Sequence, residues 1–201
     1  MSDHGGQQGG DEATKTTGGH WVFAYGSLLW DPGFDAEERV TARLSGYARS
    51  FCLRSITYRG TPEAPGLVLG LDEEHGAHCT GIAMRIEPAA WAEVQTYLRG
   101  RELTTSAYRE AVLPVDLVDG RRVLAMTFVM QRDHAQYAGG LALDEQARII
   151  AAAHGGRGPN ADYLFNTAAH LRQIGLGCAQ MDALSAEVRA ILGAAPTGDA
   201  G

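Results

Sequence analysis

Residues 21–28 read Trp-Val-Phe-Ala-Tyr-Gly-Ser-Leu, and this stretch decides how the rest of the chain is parsed. Aromatic and β-branched side chains fill positions 21–25, the composition of a buried strand. The run stops at Gly26-Ser27. A glycine directly after a strand permits tight main-chain geometry, so that successive N–H groups can converge on an anion as a nest, with the Ser27 hydroxyl beside them. Taken alone, Tyr25–Leu28 is most simply an ordinary strand-to-loop turn. It is not a nucleophile elbow, because the G-x-S-x-G pattern is absent.

Working outward, 44–54 reads as a second strand, and 59–66 (RGTPEAPG) as a stiff turn with two prolines and two glycines. Leu67–Leu71 and Cys79–Glu87 read as two short strands. Pro88 stands where a helix would begin, over Ala89–Arg99. Val112–Val118 and Arg121–Gln131 are β-rich and joined by Asp119-Gly120, a hairpin signal. The remainder is helical: Glu145–His154 capped by Asp144, Ala161–Ile174 capped by Asn160, and Gln180–Leu192. Strands first and helices last give an α+β chain, with a mixed sheet or small barrel and helices outside it. One domain over 20–193 is expected. The tails, 1–19 and 194–201, are Gly-rich and polar and read as disordered.

The 201 residues hold 24 Asp+Glu and 17 Lys+Arg, a formal charge of −7, and the tails carry part of it. This balance argues against a nucleic-acid partner. Lys15, in the N-terminal tail, is the only lysine. The folded body therefore lacks the residue needed for Schiff bases, pyridoxal-phosphate attachment or a P-loop. Cys52, Cys79 and Cys178 are few, odd in number and far apart, so reduced thiols are expected. No secretory pattern opens the chain, and the longest apolar stretches, such as Val123–Met130, are far too short to cross a bilayer. The expectation is a cytoplasmic protein with no membrane association and no obligate protein partner.

Several clusters could carry chemistry. Glu102, in Tyr97-Leu98-Arg99-Gly100-Arg101-Glu102, ends a predicted helix with Tyr108 a few residues on. A glutamate there, against an apolar sheet, can have the raised pKa of an acid/base catalyst. By charge pattern alone it pairs with Arg101 or Arg99 on a wet surface, and Glu110 and Glu63 are equally eligible. Arg59 and Glu63 sit on a loop able to shape a pocket or merely to connect strands. His75, His78 and Cys79 have a spacing a metal could use, but no fourth ligand is signalled and a surface hairpin is favoured. Each cysteine could be a nucleophile paired with His134, His154 or His170, though free cysteine is more often a small core residue. Gly155-Gly156-Arg157-Gly158 could cradle phosphate but reads as a linker between helices.

In order, VFAYGSLLWDPGF (22–34), RGTPEAPGLVLGLD (59–72), YLRGREL (97–103) with Tyr108 downstream, and DYLFNTAAHLRQIGL (162–176) resemble the ChaC family of γ-glutamylcyclotransferases, over about Trp21–Leu192. The YGSL motif is shared with the wider γ-glutamylcyclotransferase-like superfamily. The RGTPE-PG segment and the Arg-Glu pair point to ChaC. Leu103–Ala107 (LTTSA), where eukaryotic members are shorter and contain glycine, is similar to the bacterial branch.

The resemblance implies a γ-glutamylcyclotransferase-like fold, a mixed, partly closed β-barrel with flanking helices. It implies a lyase that converts glutathione to 5-oxoproline and cysteinylglycine, with no cofactor and no metal. Glu102 would be the catalytic acid/base. Tyr25, Gly26, Ser27 and Leu28 would hold the γ-glutamyl group through main-chain N–H groups, and Tyr108 and Arg59 would complete the substrate site. The chemistry suits these residues. The substrate's own α-amine attacks its γ-carbonyl, so no protein nucleophile is needed, and alignment of such intramolecular groups can contribute about 7–11 kcal/mol. Whether the amides serve an oxyanion or the substrate carboxylate stays open, and Arg54, Arg59 and Arg101 are candidates for a carboxylate. Other γ-glutamyl peptides or γ-glutamyl-amines are an alternative substrate class. A non-catalytic γ-glutamyl-binding module is a further alternative.

Overall fold

The computed structural model describes residues 19–194. The tails expected to be disordered therefore lie, apart from Gly19 and Ala194, outside the described residues. Strand β1 (His20–Ala24) is followed by a single 3-10 turn (Ser27–Leu29), then β2 (Glu38–Ser55) and β3 (Gly66–Ile86). Helix α1 (Trp91–Glu102) leads into β4 (Tyr108–Leu117) and β5 (Arg122–Met130). The chain ends with α2 (Leu143–Ala152), a small ladder of β6 (His154–Gly155) and β7 (Gly158–Pro159), α3 (Asn160–Gln173) and α4 (Ala179–Ala194).

The five long strands close into a barrel in the order β1-β3-β2-β4-β5. All neighbours are antiparallel except β1 and β5, so the barrel is mixed, as expected. Two seams are short: β1 meets β5 at Trp21↔Ala125 and Val22↔Met126, and β2 meets β4 at Ala42↔Leu117 and Arg43↔Asp116. The ring thus closes completely, but over few residues at two joints.

Alternation along β1 shows why its composition is apolar throughout. Trp21 and Phe23 pack with Leu44, Val115 and Val123 in a cluster drawn from the strands alone, the barrel lining. Val22 and Ala24 point the other way, into the layer with Ile150, Leu164 and Leu184 of the helices. A strand buried on both faces has no polar position to spare.

Three local expectations are corrected. The strands read at 67–71 and 79–87 are one continuous strand, β3, in a long hairpin with β2; the register slips between Ser45 and Tyr47, opposite residues 74–77, which bulge out of the pairing. Asp144 lies in the first turn of α2 and makes no side-chain cap; Ala142 holds the cap position. Asn160 also does not cap. It is 0% exposed, and its Oδ1 accepts from Leu67 N at 2.6 Å while its Nδ2 donates to Leu67 O at 2.7 Å, docking the start of α3 onto β3. The hairpin at Asp119-Gly120 is as read, with Gly120 at φ +90°, a conformation glycine adopts without penalty.

Candidate active site

A cavity of about 840 Å³ opens beside the end of the barrel. Tyr25, Gly26, Ser27, Leu28, Arg59, Glu102 and Tyr108 all line it, although they come from four separate segments. The structure therefore brings together every site residue expected from the sequence.

Tyr25 continues the inward alternation of β1, and its ring packs against the barrel-lining cluster. The chain then coils into the 3-10 turn, with Leu29 N bonded to Gly26 O at 2.9 Å and Asp31 N to Ser27 O at 2.9 Å. The first N–H groups of such a turn have no partner within it. Among the described residues, the amides of Gly26, Ser27 and Leu28 donate to no backbone carbonyl. A Cβ built on Gly26 would meet nothing within 4 Å, so this main chain borders open space. Leu28 contributes only main chain, since its side chain is buried in the core.

Glu102 is the last residue of α1, and its side chain is 20% exposed. Burial pushes its carboxyl above the usual carboxylate range, against the downward pull of Arg101. Arg101 Nε lies 3.3 Å from Glu102 Oε1. The other end of the same guanidinium reaches the β1 loop: Nη2 donates to Ser27 Oγ at 3.1 Å, and Nη1 to Asp31 O at 2.8 Å.

Tyr108 opens β4 and donates from Oη to Leu69 O at 2.7 Å, while Leu69 N donates to Tyr163 Oη at 3.4 Å. Two tyrosines thus meet the main chain of β3 where no strand does. Burial pushes the phenols of Tyr25 and Tyr108 far up and that of Tyr163 up to about 12, so all three stay neutral. Arg59 spends Nη1 on Arg157 O (2.6 Å) and Pro159 O (3.2 Å) and lies over the Tyr163 ring at 5.5 Å. It braces the wall as well as lining it.

The rival candidates separate from this site. Glu110 is held by Arg99 through contacts of 2.6 and 2.9 Å, which keep its carboxyl low. Glu63 is on an exposed loop. His75 and His78 are exposed while Cys79 is buried in the barrel, so the three diverge; no group of three or more metal-ligating side chains gathers among the described residues. Burial pushes the Cys52 thiol up to about 12, the wrong direction for a nucleophile. The amides of Gly156 and Arg157 are consumed by Thr57 O and Tyr58 O at 2.9 Å each, so the main chain of that glycine run supports the 57–60 loop and these two amides are not free to cradle phosphate.

One wall was not read from the sequence as part of the site. Tyr163, Asn166, Thr167 and His170, all on α3, line the cavity. Their spacing is that of one helix face, a signal present in the sequence but identical to that of any amphipathic helix. His170 stacks on Trp30 at 4.8 Å, tying α3 to the β1 loop.

A family model described as ChaC-like protein matches residues 20–191. The chain belongs to the ChaC-like family. It is similar to the glutathione-specific gamma-glutamylcyclotransferase of Escherichia coli, with 37% identity over 172 residues, 86% of this chain and 74% of that one. Similarity to gamma-glutamylcyclotransferase 2-3 of Arabidopsis thaliana is 32% over 178 residues, 86% of this chain and 89% of the other. Among solved structures, the yeast gamma-glutamyl cyclotransferase specific to glutathione superposes with a TM-score of 0.75 at 25% identity, covering 87% of this chain and 100% of that one. The ChaC-like fold expected from the motifs is thereby borne out, and no helix among the described residues is long and apolar enough to cross a membrane.

Proposed function

We propose that the chain is a glutathione-specific γ-glutamylcyclotransferase acting in a reducing, cytoplasmic setting, with Glu102 as its acid/base. The observation that carries this reading is the desolvated Glu102 carboxylate, joined through Arg101 to a loop whose amides lack backbone acceptors. Relatives named for glutathione support the substrate.

The α-amine of glutathione, once it has shed its ammonium proton, attacks the γ-carbonyl carbon. A second proton passes from that nitrogen to Glu102 as the ring C–N bond forms. The oxyanion is held by main-chain N–H groups of Gly26–Leu28. Glu102 returns its proton to the peptide nitrogen as the old γ-amide bond breaks, and the released cysteinylglycine amine takes a proton from water. The products are 5-oxoproline and cysteinylglycine. Tyr25, Tyr108 and Arg59 shape the walls in which the γ-glutamyl group is aligned.

Incubation of the purified chain with glutathione, beside γ-glutamyl-alanine, tests this reading by chromatographic detection of 5-oxoproline. Release from glutathione that is lost in Glu102→Gln is expected. Absence of 5-oxoproline, or near-wild-type release by Glu102→Gln, would overturn it; equal release from both substrates would remove the glutathione specificity.

A further inference from the structure

We propose that Arg54 and Arg157 form a carboxylate subsite that receives the C-terminal carboxylate of the peptide leaving group. This rests on the cyclotransferase reading and assigns the half of the substrate which that reading leaves unbound.

Both residues line the cavity, on the wall made by the end of β2, the 56–60 loop and the β6–β7 turn. The other two cavity arginines are committed, Arg101 to Glu102, Asp31 and Ser27, and Arg59 to two carbonyl oxygens. Among the described residues, the guanidinium groups of Arg54 and Arg157 make no ion pair and no side-chain hydrogen bond. The main chain of each is braced. Arg54 N donates to Gln136 O at 2.8 Å, and Gln136 Nε2 returns a bond to Arg54 O at 2.8 Å. Arg157 N donates to Tyr58 O at 2.9 Å, its O accepts from Arg59 at 2.6 Å, and its guanidinium stacks 4.5 Å above the Tyr58 ring.

Two uncompensated guanidinium groups on braced main chain leave one cavity wall positive, and a guanidinium fork matches a carboxylate. The leaving dipeptide carries that carboxylate, and two extended residues reach at most about 7 Å, within a cavity of about 840 Å³. A γ-glutamyl-amine has no such group and would leave the wall unused. The subsite thus selects peptides over amines.

Calorimetric titration of glutathione and of its C-terminal amide into the Glu102→Gln protein tests the subsite without turnover. The amide should bind about tenfold more weakly, and Arg54→Met and Arg157→Met should each remove most of that difference by weakening glutathione alone, as loss of a charge-assisted bond predicts. Equal affinities, equal weakening of both ligands, or no binding of either peptide would overturn the proposal. Parallel assay of 5-oxoproline release by the wild type keeps the two readings apart: no release with the binding difference intact would sink the catalysis and leave the subsite standing.

Discussion

Arg101 is shared between Glu102, 3.3 Å from its Nε, and Ser27, whose hydroxyl accepts from its Nη2 at 3.1 Å. The guanidinium therefore couples the Glu102 carboxylate to the loop after β1 and also tunes it. Burial raises the Glu102 pKa and Arg101 opposes that rise. Removing the positive charge leaves burial unopposed. In Arg101→Met the acid limb of kcat/KM should move to higher pH than in the wild type, measured as 5-oxoproline release across pH 4–8 (about the range a raised carboxyl spans). An unmoved limb would separate Arg101 from the carboxylate's titration.

Glu102 should also reveal its cost to the fold. Its folded pKa is raised above the ordinary value of 4.5, so the native state holds the proton more tightly than the unfolded chain. The ionised form is thus disfavoured in the fold at neutral pH, and the disadvantage disappears once pH drops below the unfolded pKa. Glu102→Gln should lose 5-oxoproline release yet show a higher Tm than wild type at pH 7, the difference shrinking as pH falls through about 4.5. A lower Tm at pH 7 would mean that the contact with Arg101 outweighs desolvation.

How much of this site was legible in the sequence depended on whether its residues carry local signals. By composition Tyr25–Leu28 reads only as the turn that ends a strand of two-sided apolar composition; its place in a site comes from the resemblance of the motifs to the ChaC family. Glu102 was not separable from Glu110 or Glu63 by pattern; only tertiary burial distinguishes it, since Arg99 neutralises Glu110 and leaves Glu102 to the cavity. The continuity of β3 is hidden because solvated residues 74–77 bulge out of the pairing, while Glu73 and His78 on either side of them stay paired to Tyr47 and Ser45 across the hairpin. Asn160 misled for a related reason. Its type and position before a helix fit a cap, but a buried main-chain pair on a distant strand competed for the same side chain and won.

Tyr108 is expected to act more by holding β3 than by titrating. Its phenol is pushed far above the ordinary range by burial and stays neutral, with its proton directed at Leu69 O at 2.7 Å. Tyr108→Phe should cost about 1–3 kcal/mol of unfolding free energy, the penalty of a buried carbonyl left without a donor. Urea denaturation followed by circular dichroism measures it. An unchanged midpoint would show that the Leu69 carbonyl finds another donor.

Asn160 offers the sharpest test of how the fold positions the cavity. Its amide makes two bonds to one residue, Leu67, at the head of β3, and it is fully buried. Replacement by alanine strands one donor and one acceptor of the β3 main chain and leaves a small void. Each unsatisfied group costs about 1–3 kcal/mol, so Asn160→Ala should lose roughly 2–5 kcal/mol of stability in urea denaturation. Asn160→Asp keeps the acceptor for Leu67 N but turns the second oxygen towards Leu67 O, where no donor remains once the carboxyl ionises. That variant should therefore be least stable at neutral pH and recover as pH falls and the carboxyl regains a proton able to bond Leu67 O. Because Tyr163 lies one turn along α3 from this anchor, KM for glutathione should rise in both variants even where they remain folded. Folded variants with unchanged KM would show that α3 is positioned by its apolar face alone.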